Sequence, residues 1–427
     1  MSCVRLLASE GVRLMVADTR DAPPLLPVLQ REYGDVPLFL GNQYAQAFAA
    51  AEQIIVSPGV SLKEPNLAAA RQKGTPVLGD VELFARHARA PVIAITGSNG
   101  KSTVTTVVAE MARSAGRDVR VGGNIGTPVL DLLRPGQPEL YVLELSSFQL
   151  ETTTSLDPAA AVVLNISPDH LDRYSSLDEY RAAKNRIYNG TGVVVVNRDD
   201  PALGGIRRPK RPVVRFGLGE PQPGDYGLKD VDGESWFVKG RRLLMPVSEL
   251  KMRGRHNQAN ALAALALGEA VGLPFDAMLD TLQTFPGLPH RMQFVRRVGG
   301  VDYFNDSKAT NVGAVAAALA GFAQPVVLIA GGVAKESDFS LLRQCVATHC
   351  RAVVLIGRDA PVLEKWLNGA AEVRRAPDMV SAVRLAAALA HQGEAVLLSP
   401  ACASFDMFES FEERGGAFCA AVRGLAA

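Results

Sequence analysis

The residues best able to do chemistry gather first in Thr96-Gly97-Ser98-Asn99-Gly100-Lys101-Ser102-Thr103. An apolar run, Val92 to Ile95, leads into this segment, and a helical pattern leaves it from about Ser102. A glycine turn between a buried strand and a helix N-terminus aims several backbone N–H groups at one spot, where the helix dipole adds positive potential. Lys101 brings a full charge to that spot, and a hydroxyl of Ser102 or Thr103 can meet Mg²⁺. The segment reads as a mononucleotide phosphate loop. Only two residues separate Gly97 from Gly100, so it is shorter than G-x-x-x-x-G-K-[ST]. A bare glycine turn is the bland alternative; the strand before and the helix after weigh against it.

Two further strand ends offer hard ligands. Glu144 closes Leu140-Tyr-Val-Leu-Glu144, and His170 stands in Ser167-Pro168-Asp169-His170 after the run Ala161 to Ile166. Each alone is a surface carboxylate or a satisfied histidine, but their shared position beside a phosphate loop suits Mg²⁺. Other polar clusters follow: Arg255-His256-Asn257-Gln258-Ala259-Asn260, His290-Arg291, and Asn305-Asp306-Ser307-Lys308-Ala309-Thr310-Asn311. By themselves these are caps and turns and identify no reaction. Gly331-Gly332-Val333-Ala334-Lys335 and Ser399-Pro400-Ala401-Cys402-Ala403-Ser404 each follow an apolar run, where a ligand could sit.

The elements that must position these residues alternate short apolar runs with longer helical stretches, the pattern of an α/β protein with parallel sheets. Arg13 to Ala17, Gln53 to Val56, Val326 to Ala330, Ala352 to Ile356 and Ala395 to Ser399 read as further strands. Between about Pro212 and Val247 the rhythm breaks into short runs parted by Gly, Pro and Asp, which predicts a small antiparallel meander. Boundaries near Gly79-Asp80 and Phe285-Pro286-Gly287-Leu288-Pro289 divide the chain into 1–80, 81–287 and 288–427. Ser2 to Glu10 reads as a helix capped by Gly11 and followed at once by a strand ending in Asp18, as though the chain opened inside a β-α-β unit without its first strand.

Composition narrows the function. The chain has 427 residues, 45 Lys+Arg against 44 Asp+Glu, and 48% hydrophobic residues, with the two signs interleaved. That describes a globular protein with no nucleic-acid or anionic-membrane face. The one basic knot, Arg207, Arg208, Lys210 and Arg211 around Pro209, reads as an exposed turn. No apolar stretch nears the ~18 to 20 residues that span a bilayer, and the start lacks a signal-peptide pattern, so a cytosolic enzyme is expected. Five scattered cysteines without a C-x-x-C pair read as reduced thiols. The absence of G-x-G-x-x-G weakens a dinucleotide reading, and the absence of G-x-S-x-G disfavours a serine hydrolase.

Taken in order, Thr96 to Thr103, Glu144-Leu-Ser-Ser-Phe-Gln-Leu-Glu151, Asn165-Ile-Ser-Pro-Asp-His-Leu-Asp172, His256-Asn-Gln-Ala-Asn260 and Asn305 to Asn311 resemble the Mur ligase family across nearly the whole chain. Asp18-Thr19-Arg20, Ser57-Pro58-Gly59, Asp306 to Thr310 and Ser399 to Glu412 resemble its D-glutamate-adding branch. The resemblance implies an N-terminal Rossmann-like domain for a UDP-linked substrate, a central ATPase domain and a C-terminal Rossmann-like domain for the amino acid. It also implies ATP, two Mg²⁺ ions, the substrates UDP-N-acetylmuramoyl-L-alanine and D-glutamate, an acyl-phosphate route in peptidoglycan precursor synthesis, and a monomer.

By matching motifs, Asp18, Thr19 and Arg20 are expected at the uracil, Ser57 and Gly59 at the pyrophosphate, and Asn124 with His170 near the sugar-peptide portion. Gly97, Ser98, Asn99, Gly100, Lys101, Ser102 and Thr103 would hold ATP phosphates. Asn257, Asn260, His290, Arg291, Asp306 and Lys308 would frame the rest of the nucleotide. Thr310, Lys335, Ser404 and the Phe411 backbone would receive D-glutamate. Ser102, Glu144, His170 and Lys184 would meet the metal, the last after carbamylation; by its neighbours alone Lys184 is an ordinary solvated helix lysine. The family opens with a strand and glycine-rich turn that this chain lacks, so weak affinity for the UDP-substrate is expected. Competing readings are a sibling or folylpolyglutamate-type ligase, and a nucleotide-binding protein without turnover.

Overall fold

The computed structural model describes residues 1–170, 173–203, 211–252, 254–334 and 338–426. Arg207, Arg208, Pro209 and Lys210 of the basic knot, and Lys335, lie outside the described residues. Arg211 is half-buried and donates to the Gly192 carbonyl at 2.8 Å. Contacts divide the chain into two units: Met1–Ile166, His170–Phe216 and Ala263–Met278 in the first, and Ser167–Asp169, Gly217–Leu262 and Leu279–Ala427 in the second.

The first unit opens with α1 (Ser2–Ser9), β1 (Val16–Asp18), α2 (Leu26–Glu32), β2 (Leu38–Leu40), β3 (Ile54–Ile55), α3 (Pro65–Gln72) and β4 (Val77–Leu78). β1 pairs with β2 and β3 with β4, both in parallel, as two separate two-stranded sheets. The chain continues through α4 (Asp80–His87), β5 (Val92–Thr96), α5 (Lys101–Ser114), β6 (Val119–Gly123), β7 (Leu140–Glu144), α6 (Ser147–Glu151), β8 (Ala160–Val163), α7 (Leu177–Asn185), β9 (Val193–Asn197) and β10 (Val213–Phe216). Strands β10-β9-β8-β5-β7-β6 form a parallel run. β5, β7 and β8 are buried at every residue, because helices cover both faces of such a sheet and the sequence answers with unbroken apolar runs. Strand order reverses beside β5, so the loops after β5, β7 and β8 leave a crevice at their carboxyl ends.

Glu82 locks α4 into this unit. Its side chain is 1% exposed and accepts from the Thr154 and Ser155 amides at 2.7 and 2.9 Å and the Ser155 hydroxyl at 2.8 Å. Burial opposes its charge, but the Ser155 and Thr154 donors outweigh burial and hold the carboxyl down at about 2. A carboxyl lowered in the folded state stabilises above its unfolded value near 4.5 and loses that contribution as pH falls toward 2. Glu82→Gln is therefore expected to lower stability at pH 7 by about 2–3 kcal/mol. The gap from the parent should narrow at pH 3, which urea unfolding at the two pH values would check; an equal gap at both would refute it.

The second unit contains an antiparallel meander, β11 (Tyr226–Val231), β12 (Glu234–Lys239) and β13 (Arg242–Pro246), as the broken rhythm predicts. Helices α8 (Arg255–Ala270) and α9 (Phe275–Thr284) are shared by the two units' residue ranges. Then come β14 (Gln293–Val298), β15 (Val301–Asn305), α10 (Val312–Leu319), β16 (Val326–Gly331), α11 (Ser340–His349), β17 (Cys350–Ile356), α12 (Ala360–Leu367), β18 (Glu372–Arg375), α13 (Met379–Leu389), β19 (Ala395–Leu398) and α14 (Phe411–Arg423). The sheet order is β14-β15-β19-β16-β17-β18, parallel except for the β14-β15 hairpin. Alternate residues of β16 and β17 enter two cores. Leu328, Val353 and Leu355 pack with Val315, Leu342 and Leu363, while Ile329, Val354 and Ile356 pack with Val383, Phe418 and Val422. That alternation places α10–α12 on one face and α13–α14 on the other, the doubly wound arrangement expected.

Candidate active site

The phosphate loop is shaped by two left-handed glycines, Gly97 at φ +154° and Gly100 at φ +85°. A Cβ on Gly97 would lie 3.0 Å from the Leu164 Cβ and 3.3 Å from the Asn165 nitrogen, so a side chain there would crowd its neighbours in a backbone conformation that favours glycine. Asn165, quoted in a motif but given no role by the sequence, braces it: the Ser98 amide donates to the Asn165 carbonyl and the Asn99 amide to its Oδ1, at 2.9 and 2.8 Å. Lys101 Nζ donates to the Gly97 and Ser98 carbonyls at 2.8 and 2.9 Å. The helix begins at Lys101, one residue before the expected start.

Lys184 is not a solvated lysine. It is 1% exposed, donates to the Gly97 carbonyl at 3.0 Å, and lies 4.6 Å from the centre of the Tyr180 ring. Nothing in the α7 sequence signals this, because Thr96 and Gly97, far earlier in the chain, meet it only in the fold.

Glu144, buried at the end of β7, accepts from Asn124 Nδ2 at 2.8 Å through Oε1, and its carbonyl accepts the Asn124 amide at 2.8 Å. Its Oε2 is buried without a partner. An unpaired carboxylate oxygen in a polar crevice beside a phosphate loop calls for a cation, so the donor set fits Mg²⁺. Ser102, buried in the first turn of α5, adds a hydroxyl. His170 is exposed, at φ +56°, with its ring edge-on to Phe148 at 4.8 Å. Among the described residues no three His, Cys, Asp or Glu side chains cluster closely enough to hold an ion alone. Phosphate oxygens and water would complete the shell.

Asp18, Thr19, Arg20, Ser57 and Gly59 line one cavity of about 610 Å³, walled also by Tyr44 and Phe48. The Arg20 guanidinium and amide hold Asp18 below the usual carboxylate range, with Nη2 at 2.7 Å. Arg173, which sequence reading passed over, donates to the Pro58 and Val60 carbonyls at 2.9 and 3.2 Å and pairs with Glu151 at 2.9 Å. It thereby fixes the Ser57-Pro58-Gly59 turn.

In the second unit Asn257 and Asn260 are buried one turn apart, with Asn260 Nδ2 donating to Asn257 Oδ1 at 3.0 Å. Buried Asp306 accepts from the Ser399 hydroxyl at 2.9 Å and the Met292 amide at 3.2 Å. Burial nonetheless pushes its carboxyl up to about 7. His290 and Met292 are left-handed, at φ +61° and +46°, and flank Arg291. Such conformations in non-glycine residues cluster at functional sites. The Lys308 amide donates to the His290 carbonyl at 3.1 Å, and Lys308 Nζ sits 3.5 Å over the Phe411 ring. Candidate nucleotide and D-glutamate residues thus adjoin within this unit. The Phe411 carbonyl accepts the Ser307 hydroxyl at 2.8 Å, and Phe411 is the first residue of α14, where backbone N–H groups favour an anion. Thr310 and Ser404 follow β15 and β19, with Ser404 buried at 3% exposure.

Comparison with known proteins adds three matches in chain order: a MurD-like Mur ligase N-terminal domain over residues 1–79, the Mur ligase middle domain over 95–268, and the Mur ligase glutamate ligase domain over 290–402. The chain is 55% identical over 427 residues to the UDP-N-acetylmuramoylalanine--D-glutamate ligase of Nitrosococcus oceani, covering 100% of this chain and 94% of that protein. It is 52% identical over 430 residues to the ligase of the same name from Pseudomonas aeruginosa, covering 100% and 96%. Among solved structures, UDP-N-acetylmuramate-alanine ligase MurC from Thermotoga maritima superposes with TM-score 0.60 at 19% identity, covering 99% of this chain and 96% of that one. E. coli FolC superposes with TM-score 0.59 at 19% identity, covering 81% and 92%. At that identity the structural likeness speaks for the fold.

Proposed function

The chain belongs to the Mur ligase family, and from that premise we infer that its site residues serve one reaction, the ATP-dependent addition of D-glutamate to UDP-N-acetylmuramoyl-L-alanine in peptidoglycan precursor synthesis. The observation that carries this reading is the 55% identity, over its whole length, to a ligase named for that reaction. FolC shares the fold at 19% identity, which gives no comparable support to a folylpolyglutamate-type activity.

A carboxylate is a poor electrophile, so the reaction activates it. The alanyl carboxylate oxygen attacks the γ-phosphorus of ATP, the bond to ADP breaks, and an acyl phosphate forms. The D-glutamate amine then attacks the acyl carbon, loses a proton, and phosphate leaves as the amide forms. The protein's share is positioning and charge neutralisation. Lys101 and the amides of Gly97 to Thr103 receive the phosphates. Asp18, Thr19, Arg20, Ser57, Gly59 and Asn124 receive the UDP-substrate, with His170 beside its reacting end. Asn257, Asn260, His290, Arg291, Asp306 and Lys308 frame the nucleotide, and Thr310, Lys335, Ser404 and Phe411 take D-glutamate. Mg²⁺, when bound, neutralises phosphate charge, held by Ser102, Glu144 and His170, with carbamylated Lys184 serving a second ion. The same reading divides the chain at 1–80, 81–287 and 288–427 and takes it as a cytoplasmic monomer.

Phosphate release from Mg·ATP with UDP-N-acetylmuramoyl-L-alanine tests the reaction. Release is expected with D-glutamate and not with L-glutamate, L-lysine or no amino acid. Release driven by L-lysine would move the chain to a sibling activity, and ATP binding with no turnover on any amino acid would leave only a nucleotide-binding protein.

A further inference from the structure

We propose that Asn305 is a positioning residue that holds His290 in its Nε2–H tautomer, so that the imidazole meets the nucleotide as a hydrogen-bond donor; the nucleotide half of this proposal rests on the placement of His290 given above. Asn305 ends β15 and is completely buried. Which end of its amide is nitrogen follows from its neighbours. Oδ1 accepts the backbone amide of Ser307 at 3.1 Å, and a backbone N–H can only donate. The other end faces the Gly415 carbonyl at 3.2 Å, which can only accept, and Gln293 Oε1 at 3.3 Å. That Gln293 atom is itself an oxygen, since it accepts the His290 amide at 3.1 Å. Turning the Asn305 amide over would aim an NH₂ at an N–H and an oxygen at two oxygens. Nδ2 therefore faces the ring.

His290 Nδ1 lies 3.0 Å from that Nδ2. Of the four groups around the two hydrogens of Nδ2, Nδ1 is the nearest; facing that donor it presents its lone pair, and a neutral imidazole with bare Nδ1 carries its proton on Nε2. The ring cannot escape the arrangement by turning. Rotation by half a turn would put a carbon against Asn305, and the ring is seated on Gly415, where a Cβ would come within 2.1 Å of Nδ1. Burial lowers the imidazole's basicity, against the opposing pull of Glu412, which agrees with a neutral ring. Cys419 Sγ, 3.2 Å from Nδ2, closes the pocket from α14.

The direct test is the histidine ¹⁵N spectrum of the full-length protein at pH 8, with His290 identified by the signals missing from His290→Gln. The expected pattern has Nδ1 at the pyridine-type position and Nε2 at the pyrrole-type position. A reversed or averaged pattern overturns the proposal without any Asn305 variant. Asn305→Asp replaces the donor by an acceptor and is expected to move the proton onto Nδ1 and to raise the KM for ATP roughly five- to tenfold. It should leave the KM for D-glutamate in place. An unchanged ¹⁵N pattern in Asn305→Asp overturns the lock. A switched tautomer with an unmoved KM for ATP overturns the nucleotide half, and D-glutamate-dependent phosphate release by the parent protein reports separately on the assigned reaction.

Discussion

Lys101→Ala is expected to lower D-glutamate-dependent phosphate release by at least about 10³-fold, the range seen when one preorganised charge or donor is removed from phosphoryl or acyl transfer. The γ-phosphoryl oxygens spread negative charge as the bond to ADP breaks, and Lys101 is the cation that the loop itself holds in place. Its Nζ rests on the Gly97 and Ser98 carbonyls, 2.8 and 2.9 Å away, so it waits over the anion site instead of sampling solvent. Lys101→Arg should recover little, because a guanidinium fork is longer and planar and cannot occupy that point between two carbonyls. The change removes no core atom, so the melting temperature should hold within about 2 °C. Turnover within tenfold of the parent would mean that the phosphates lie elsewhere.

This loop was legible because local chemistry decides it. An unbroken apolar run, two glycines and a lysine at a helix start leave few alternative structures, and β5, the loop and α5 lie within a residue or so of expectation. The parallel sheets and the meander follow from run length and alternation in the same way, and the Rossmann-like second unit follows from the family resemblance. What stayed hidden depends on partners distant in sequence. Lys184 sits in a charged helix, and only the approach of Thr96 and Gly97 makes it a buried group. Arg173 reads as a loop arginine until the Pro58 and Val60 carbonyls, more than a hundred residues earlier, come to it. Arg414 follows Glu412 and Glu413 at the start of α14, a pattern that sequence alone gives to solvent. The helix instead turns that residue under the carboxyl edge of the sheet.

Arg414→Ala is accordingly expected to cost about 3–5 kcal/mol in the stability of the second unit, and to raise the KM for D-glutamate at least about tenfold. Arg414 is 1% exposed, and burial pushes its guanidinium down to about 10, still charged at neutral pH. Each nitrogen of its fork is engaged: Nε donates to Ser307 Oγ at 3.0 Å, Nη2 to the Ser307 carbonyl at 2.8 Å, and Nη1 to the Cys402 carbonyl at 3.1 Å. Those acceptors belong to loops after two neighbouring strands, β15 and β19, so one side chain ties together the segments that carry Thr310 and Ser404. Ser307 Oγ in turn donates to the Phe411 carbonyl, which extends the brace to the first residue of α14. Removing the fork leaves buried carbonyls without donors as well as a cavity, and both terms act in the same direction. Arg414→Lys keeps a charge but supplies one donor point where three directions are needed, so it should restore less than half of either loss. Urea unfolding read through the second unit, with steady-state kinetics on the same samples, separates the two effects. If the unfolding midpoint falls while the KM for D-glutamate stays put, Arg414 holds the fold alone. If neither moves, the two loops and the start of α14 are fixed by their own backbone bonds and this brace is redundant.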